Sequence, residues 1–240
     1  MGRREELAAG LVSVRERIAR ACTAAGREPD EITLVAVTKT YPASDVVLLA
    51  DLGVPDIGEN RDQEAAGKAA EVAAAGVDVR WHFVGQLQRN KCGSVVRYAD
   101  LVHSVDRVRL VEALAAAAER HRDRPLDVLI QVSLDGDAHR GGALTAAGAD
   151  PDRGFDAVAD AVAGAPSLQL RGVMAIAPLG EPPEPAFARL AETASALTVR
   201  YPTARVISAG MSEDLEAAIA HGATHVRIGS ALLGIRPQLR

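Results

Sequence analysis

Apolar residues recur along the chain in two rhythms. Short runs rich in β-branched residues fall at "ITLVAVTK" (32–39), "DIGEN" (56–60), "WHFVG" (81–85), "ADLVHSV" (99–105), "LDVLIQVSL" (126–134), "LRGVMAI" (170–176), "ARVISAGM" (204–211) and "HVRIGSALLG" (225–234). Their length and composition predict strands. Alanine-rich, charge-bearing stretches separate them at 44–52, 61–75, 90–98, 107–121, 153–163, 184–200 and 212–221, where helical spacing takes over. The opening segment "MGRREELAAGLVSVRERIARA" repeats apolar positions at the same spacing and predicts a further helix over about 3–25. Ser44 before Asp45, and Ser212 before Glu213 and Asp214, read as helix N-caps.

Strands that alternate with helices imply a parallel sheet, because parallel neighbours need a helical crossover. Eight such units in 240 residues fit a (β/α)8 barrel, an α/β fold, better than an open doubly wound sheet. The open sheet would carry a GxGxxG turn after its first strand, and none is present. No shift in composition divides the chain, so residues 1–240 are expected to form a single domain. The segment "LGEPPEP" (179–185) lies inside a βα connection and reads as a rim loop.

Composition narrows the function. Hydrophobic residues make up 48% of the chain and the formal charge is −5, too mild to imply nucleic acid or an anionic membrane as partner. Aromatic residues are only 3%, which argues against a base-stacking surface. No apolar stretch is long enough to span a bilayer, and Glu5, Glu6 and Glu16 interrupt any signal-like block at the start. Cys22 and Cys92 show neither CxxC nor metal-ligand spacing, so a reduced, cytoplasmic setting is expected.

In a (β/α)8 barrel the chemistry sits at the carboxyl ends of the strands. Polar residues collect there: Lys39 after strand one, Glu59 and Asn60 after strand two, "SAGMS" after strand seven and "RIGS" in strand eight. Barrel phosphate sites are often built by the loops after strands seven and eight. Gly210 and Ser212 in one, and Gly229 and Ser230 in the other, suit backbone approach to an anion. Lys39 has two readings. It either snorkels to water, or faces a phosphate-bearing ligand as a point charge or a Schiff-base nucleophile. The second use needs a lowered pKa, which an apolar wall of Val35 and Val37 would promote. Arg227 alternates with Val226 and Ile228, so if the valine side meets the helices the arginine points into the barrel. There it either pairs with a carboxylate such as Glu59 or Asp106, or donates to a ring nitrogen or a phosphate. His82 and Trp81 read as structural. His221 and His225 are not expected to share a metal, and no metal is expected. Cys92 near a helix start is either a thiol of lowered pKa or an inert core residue.

Taken together, "VAVTKTYP", "IGENRDQE", "WHFVGQLQRNK", "GVMAI" and "SAGMSEDLEAAIAHGATHVRIGSALLG" resemble the pyridoxal phosphate homeostasis protein family, from about residue 10 to about residue 236. That family is similar in fold to the N-terminal barrel of alanine racemase. The resemblance implies pyridoxal 5'-phosphate (PLP) held as a Schiff base on Lys39. It also implies Ser212, Gly229 and Ser230 at the phosphate, Arg227 facing the pyridine nitrogen and Asn60 near the ring. Two positions depart from the family pattern. Arg61 stands where an aromatic residue usually follows "GEN", and Arg140 stands where a lysine usually precedes Gly141.

The resemblance leaves a choice between carrier and enzyme. Alanine racemase uses a second domain that supplies a catalytic tyrosine, and this chain is expected to lack it. None of Tyr41, Tyr98 and Tyr201 follows the barrel. An arginine-faced pyridine is also a poor electron sink. The expectation is therefore a cytoplasmic, monomeric PLP carrier or regulator without robust turnover, with apo PLP-dependent enzymes as partners and no firm catalytic residue. A weak or specialised amino-acid racemase is the alternative, and an aldolase-like barrel using Lys39 on a sugar phosphate is a third.

Overall fold

A computed structural model describes residues 2–135, 141–146 and 150–234; Arg140 lies outside them. Eight strands form one closed barrel in sequence order: β1 (Thr33–Val37), β2 (Asp56–Glu59), β3 (Arg80–Phe83), β4 (Leu101–Val105), β5 (Leu126–Gln131), β6 (Leu168–Met174), β7 (Val206–Ser208) and β8 (His225–Ile228). Every neighbouring pair is parallel, and β1 closes the ring against β8. The open-sheet alternative is thereby excluded. The helices are α1 (Arg3–Ala25), α2 (Ala43–Asp51), α3 (Asp62–Ala74), α4 (Cys92–Tyr98), α5 (Val108–His121), α6 (Phe155–Ala163), α7 (Pro183–Arg200), α8 (Leu215–Ala220) and α9 (Ser230–Leu233). Among the described residues no helix is long and apolar enough to cross a membrane.

Strand alternation sorts the core. Ala36, Ile57, Trp81, Val226 and Ile228 face outward and pack with α1, α2, α3, α8 and α9. Phe83, Val102, Val128, Ile130 and Val173 do the same on the α4–α7 side. Leu101, Leu129 and Met174 form a separate small cluster with Val206 against it, as residues on the barrel's inner face should. The apolar stripe Leu7, Leu11, Val14, Ile18, Ala21 and Cys22 buries one side of α1. Gly10 lets that helix close on α9, since a side chain there would place its Cβ 2.4 Å from the Leu232 carbonyl oxygen.

The structure corrects several element ends. "SALLG" is not strand: β8 stops at Ile228 and the segment turns into α9. β7 is only three residues long, so "AGM" belongs to the loop that follows. Ser44 is no N-cap, because α2 begins one residue earlier behind Pro42. Ser212 is not one either, because Asp214 holds that position for α8.

Candidate functional site

Lys39 follows β1 in a tight turn. It shares the inward parity of Val35 and Val37, whose side chains border the gap left by Gly58: a Cβ on Gly58 would lie 3.0 Å from Val35 and 3.3 Å from Val37. The turn is strained, with the β-branched Thr40 at φ 69°. It is also strapped to α3. The Lys68 ammonium donates to the Thr38 carbonyl at 2.8 Å, to Glu64 at 3.1 Å and, most closely, to Glu59. The Thr38 hydroxyl donates to Glu59 at 2.6 Å, and the Thr40 N–H donates to Glu64. Burial pushes the Glu59 carboxyl up, with Lys68 and Thr38 pulling against it. The desolvation of Lys39 expected from Val35 and Val37 is not found. Val35 is buried and Val37 half-buried, but Lys39 itself stands exposed at the mouth, because the chain has already left the sheet.

The loops after β7 and β8 converge. The Ser230 hydroxyl lies 3.4 Å from the Ser212 hydroxyl, which is also 3.4 Å from the Ala231 N–H. Gly210 makes this possible. Its φ is 91°, and a Cβ there would come within 2.7 Å of Ala218. The Asp214 carboxylate accepts the Met211 N–H at 2.6 Å and shapes the same loop. Gly229 sits against the end of β1, where a Cβ would be 3.6 Å from the Val37 carbonyl oxygen. The phosphate-type loop therefore adjoins the strand that carries Lys39. Helix α1 braces both sides. Arg17 donates to the Ser212 carbonyl at 2.9 Å while gripping Glu216 with two bonds of 2.8 Å. Arg3 joins Asp45 of α2, at 2.7 Å, to the Leu233 carbonyl of α9, at 3.1 Å.

Arg227 is buried inside the barrel. It does not pair with Glu59 or Asp106, whose oxygens serve Lys68 and Arg107. Its Nη1 donates to the Ser208 carbonyl at 2.8 Å and hydroxyl at 2.7 Å, and its Nη2 to the Ala175 carbonyl at 2.9 Å. These acceptors are neutral, and burial lowers the guanidinium to about 10. Beyond Ser208 lie His103 and His82. Burial keeps His103 well below the ordinary histidine value. It also takes His225, whose ring centre is 6.2 Å from that of His82, down to about 4. Among the described residues no group of three or more His, Cys, Asp or Glu could hold a metal ion.

Asn60 ends the "GEN" run. Its backbone is approached by Gly85, where a Cβ would fall 2.1 Å from the Asn60 carbonyl oxygen. Its side-chain Oδ1 is buried and has no hydrogen-bond partner among the described residues. Arg61 is exposed at the start of α3. Cys92 is buried, and burial pushes its thiol up to about 11. The lowered-pKa reading is thus wrong: desolvation outweighs the nearby arginines.

Residues 11–237 match the family described as alanine racemase, N-terminal domain. A protein of Mycobacterium tuberculosis named pyridoxal phosphate homeostasis protein is 46% identical over 248 aligned residues, covering 98% of this chain and 94% of its own. This chain belongs to the pyridoxal phosphate homeostasis protein family. The Escherichia coli family member of the same name is 40% identical, with 96% of this chain and 97% of its own covered. Among solved structures, the family member PipY of Synechococcus elongatus, with PLP bound, is 33% identical at a TM-score of 0.77, covering 95% of this chain and all of that one. An alanine racemase of Clostridium difficile aligns at 12% identity and a TM-score of 0.69, over 98% of this chain and 58% of its own. At that identity the likeness is one of fold. In this family member the structure brings Ser212 and Ser230 together and sets Gly229 against the strand that leads to Lys39. Four site features were not read from the sequence: Lys68 with Glu59, His103, Ser208 and Arg17. Only Glu64 and Lys68, four apart on α3, left a local signal.

Proposed function

We propose that this chain binds PLP in the cytoplasm and stores or delivers it, with Lys39 holding the cofactor as a Schiff base. The observation that carries the reading is the meeting of the Ser212 and Ser230 hydroxyls beside the end of β1. Two further features fit the group: the partnerless Asn60 Oδ1 and a buried Arg227 that binds only neutral acceptors. When bound, the cofactor supplies an aldehyde carbon that exchanges one amine for another. The chain's residues then divide the work. The exposed Lys39 amine would hold the cofactor at that carbon. Ser212, Ser230 and the Gly229 backbone receive the phosphate. Arg227 would donate to the ring nitrogen and, as a group that does not give up its proton, would disfavour the protonated ring that transamination and decarboxylation need. Asn60 lies at the ring's side.

Ser212→Ala with Ser230→Ala should weaken PLP binding by roughly 1–3 kcal/mol, the scale of lost hydrogen bonds to a charged group. Pyridoxal, which lacks the phosphate, should bind the double variant and the parent chain alike. Equal losses for both ligands would place the serines in the fold and not at the phosphate.

The carrier role is tested by mixing PLP-loaded monomeric protein with an apo PLP-dependent enzyme in the presence of a trap for free PLP. Recovery of that enzyme's activity despite the trap is the expected result. Recovery only without the trap reduces the role to passive storage. In parallel, L-amino acids are incubated with the loaded protein. D-enantiomer formed at about 1 per second or faster would make it a racemase instead.

A further inference from the structure

Inside the barrel, five side chains from five strands form one file. Arg227 Nη1 lies 2.7 Å from the Ser208 hydroxyl, which is 2.9 Å from His103 Nδ1. His103 Nε2 is 2.9 Å from His82 Nδ1, and His82 Nε2 is 3.0 Å from the Asp56 carboxylate. All five are buried. Asp56 opens β2 at the amino-terminal rim, while Ser208 closes β7 and Arg227 lies near the end of β8. The file therefore runs through the barrel interior from β2 to β8.

With both rings neutral, its ends fix every proton in it. The guanidinium can only donate and an ionised carboxylate can only accept. Burial raises the Asp56 carboxyl, but the hydrogen bonds from His82 and Arg80 more than reverse this and hold it near 2, so it is ionised. His82 must then donate from Nε2 and, as a neutral imidazole, accept at Nδ1. His103 must donate from Nε2 and accept at Nδ1. Ser208 must give its hydroxyl proton to His103 and offer a lone pair to Arg227. Among neutral rings, only one tautomer of each satisfies all four bonds. Bonds aligned in this way polarise one another in a low-dielectric interior. Three Arg227 donor contacts are used on Ser208 and Ala175, which holds the plane of the guanidinium and leaves its other N–H groups for a ligand.

We propose that His82 and His103 are positioning residues: a one-way file of hydrogen bonds from Arg227 to Asp56 sets the orientation in which Arg227 meets the cofactor's ring nitrogen. The last clause rests on the PLP reading above; the file itself does not.

The first measurement needs no cofactor. In ligand-free protein with 15N-labelled histidine, long-range proton–nitrogen spectra at neutral pH should show His82 and His103 neutral and protonated on Nε2. His82→Gln and His103→Gln assign the signals. A proton on Nδ1 of either ring, or an imidazolium, overturns the file. The second uses Ser208→Ala, which cuts the link to Arg227 but keeps the backbone acceptor. Exchange of the Arg227 guanidinium protons with water should accelerate about tenfold on losing one such bond, and an unchanged rate overturns the positioning role. The third loads both proteins with PLP. Affinity should fall about fivefold in Ser208→Ala, with the visible band displaced. A band that stays in place while Arg227 exchange rises overturns the link to the ring nitrogen. If the parent chain binds no PLP, the functional reading fails, and the first two measurements still decide the file.

Discussion

Lys39→Ala should replace the Schiff-base absorption band of the PLP-loaded protein by that of the unlinked aldehyde while leaving some cofactor bound. The Schiff-base band, distinct from that of the unlinked aldehyde, requires a nitrogen bonded to the aldehyde carbon, and on the proposed reading Lys39 supplies it. It is exposed at the barrel mouth, two residues past a strand whose end adjoins Gly229. The other nearby amines are committed. Lys68 is 5% exposed and donates to the Thr38 carbonyl, Glu59 and Glu64. Lys91 faces Asp62 at 3.9 Å. Borohydride reduction and peptide mapping of the unmutated chain should therefore mark Lys39, and a label on Lys68 or Lys91 would refute the assignment. Non-covalent binding should survive because the serine pair and Arg227 lie on other strands and loops. Folding stability should stay within about 0.5 kcal/mol of the parent, as for most exposed substitutions.

Lys68→Ala should cost about 3–5 kcal/mol of folding stability, read from urea unfolding, because it leaves the fully buried Glu59 without its ion-pair partner. The Thr38 hydroxyl alone would then face that carboxylate, while the Thr38 carbonyl would lose its donor. Replacing both partners, as Lys68→Met with Glu59→Gln, should recover most of the loss, since no buried charge remains. A single-variant loss below about 1 kcal/mol would show that the pair is solvated in the working protein. The strap also fixes the turn that presents Lys39. PLP loading in the double variant should consequently be slower than in the parent even where stability is regained.

Much of this fold could be read from the sequence because it rests on local periodicity. The eight strand runs, the helices between them and the helix of α1 each announce themselves within about twenty residues. Their ends were harder to place. "SALLG" has the apolar run of a strand, but past Ile228 the chain has reached the mouth, and Leu232 and Leu233 bury themselves as a helical turn under α1. Ser212 has the look of a cap, yet α8 starts only after Asp214, and the Ser212 hydroxyl lies beside that of Ser230. The desolvation expected of Lys39 failed for a related reason. The pattern shows which face a side chain takes, but not where the sheet stops beneath it.

The sequence by itself determined that Arg227 takes the face opposite Val226 and Ile228, that Lys39 stands at a strand's carboxyl end, and that paired Gly and Ser residues follow strands seven and eight. Only the tertiary structure decided what those residues meet. A barrel's strands are tilted and staggered, so inward side chains from non-adjacent strands reach one level according to the register of the whole ring. That is why Asp56, His82, His103, Ser208 and Arg227, spread over more than half of the chain, form one hydrogen-bonded file. Arg227 thus spends its charge on neutral acceptors and not on Glu59, which faces the other way, toward Lys68 on α3.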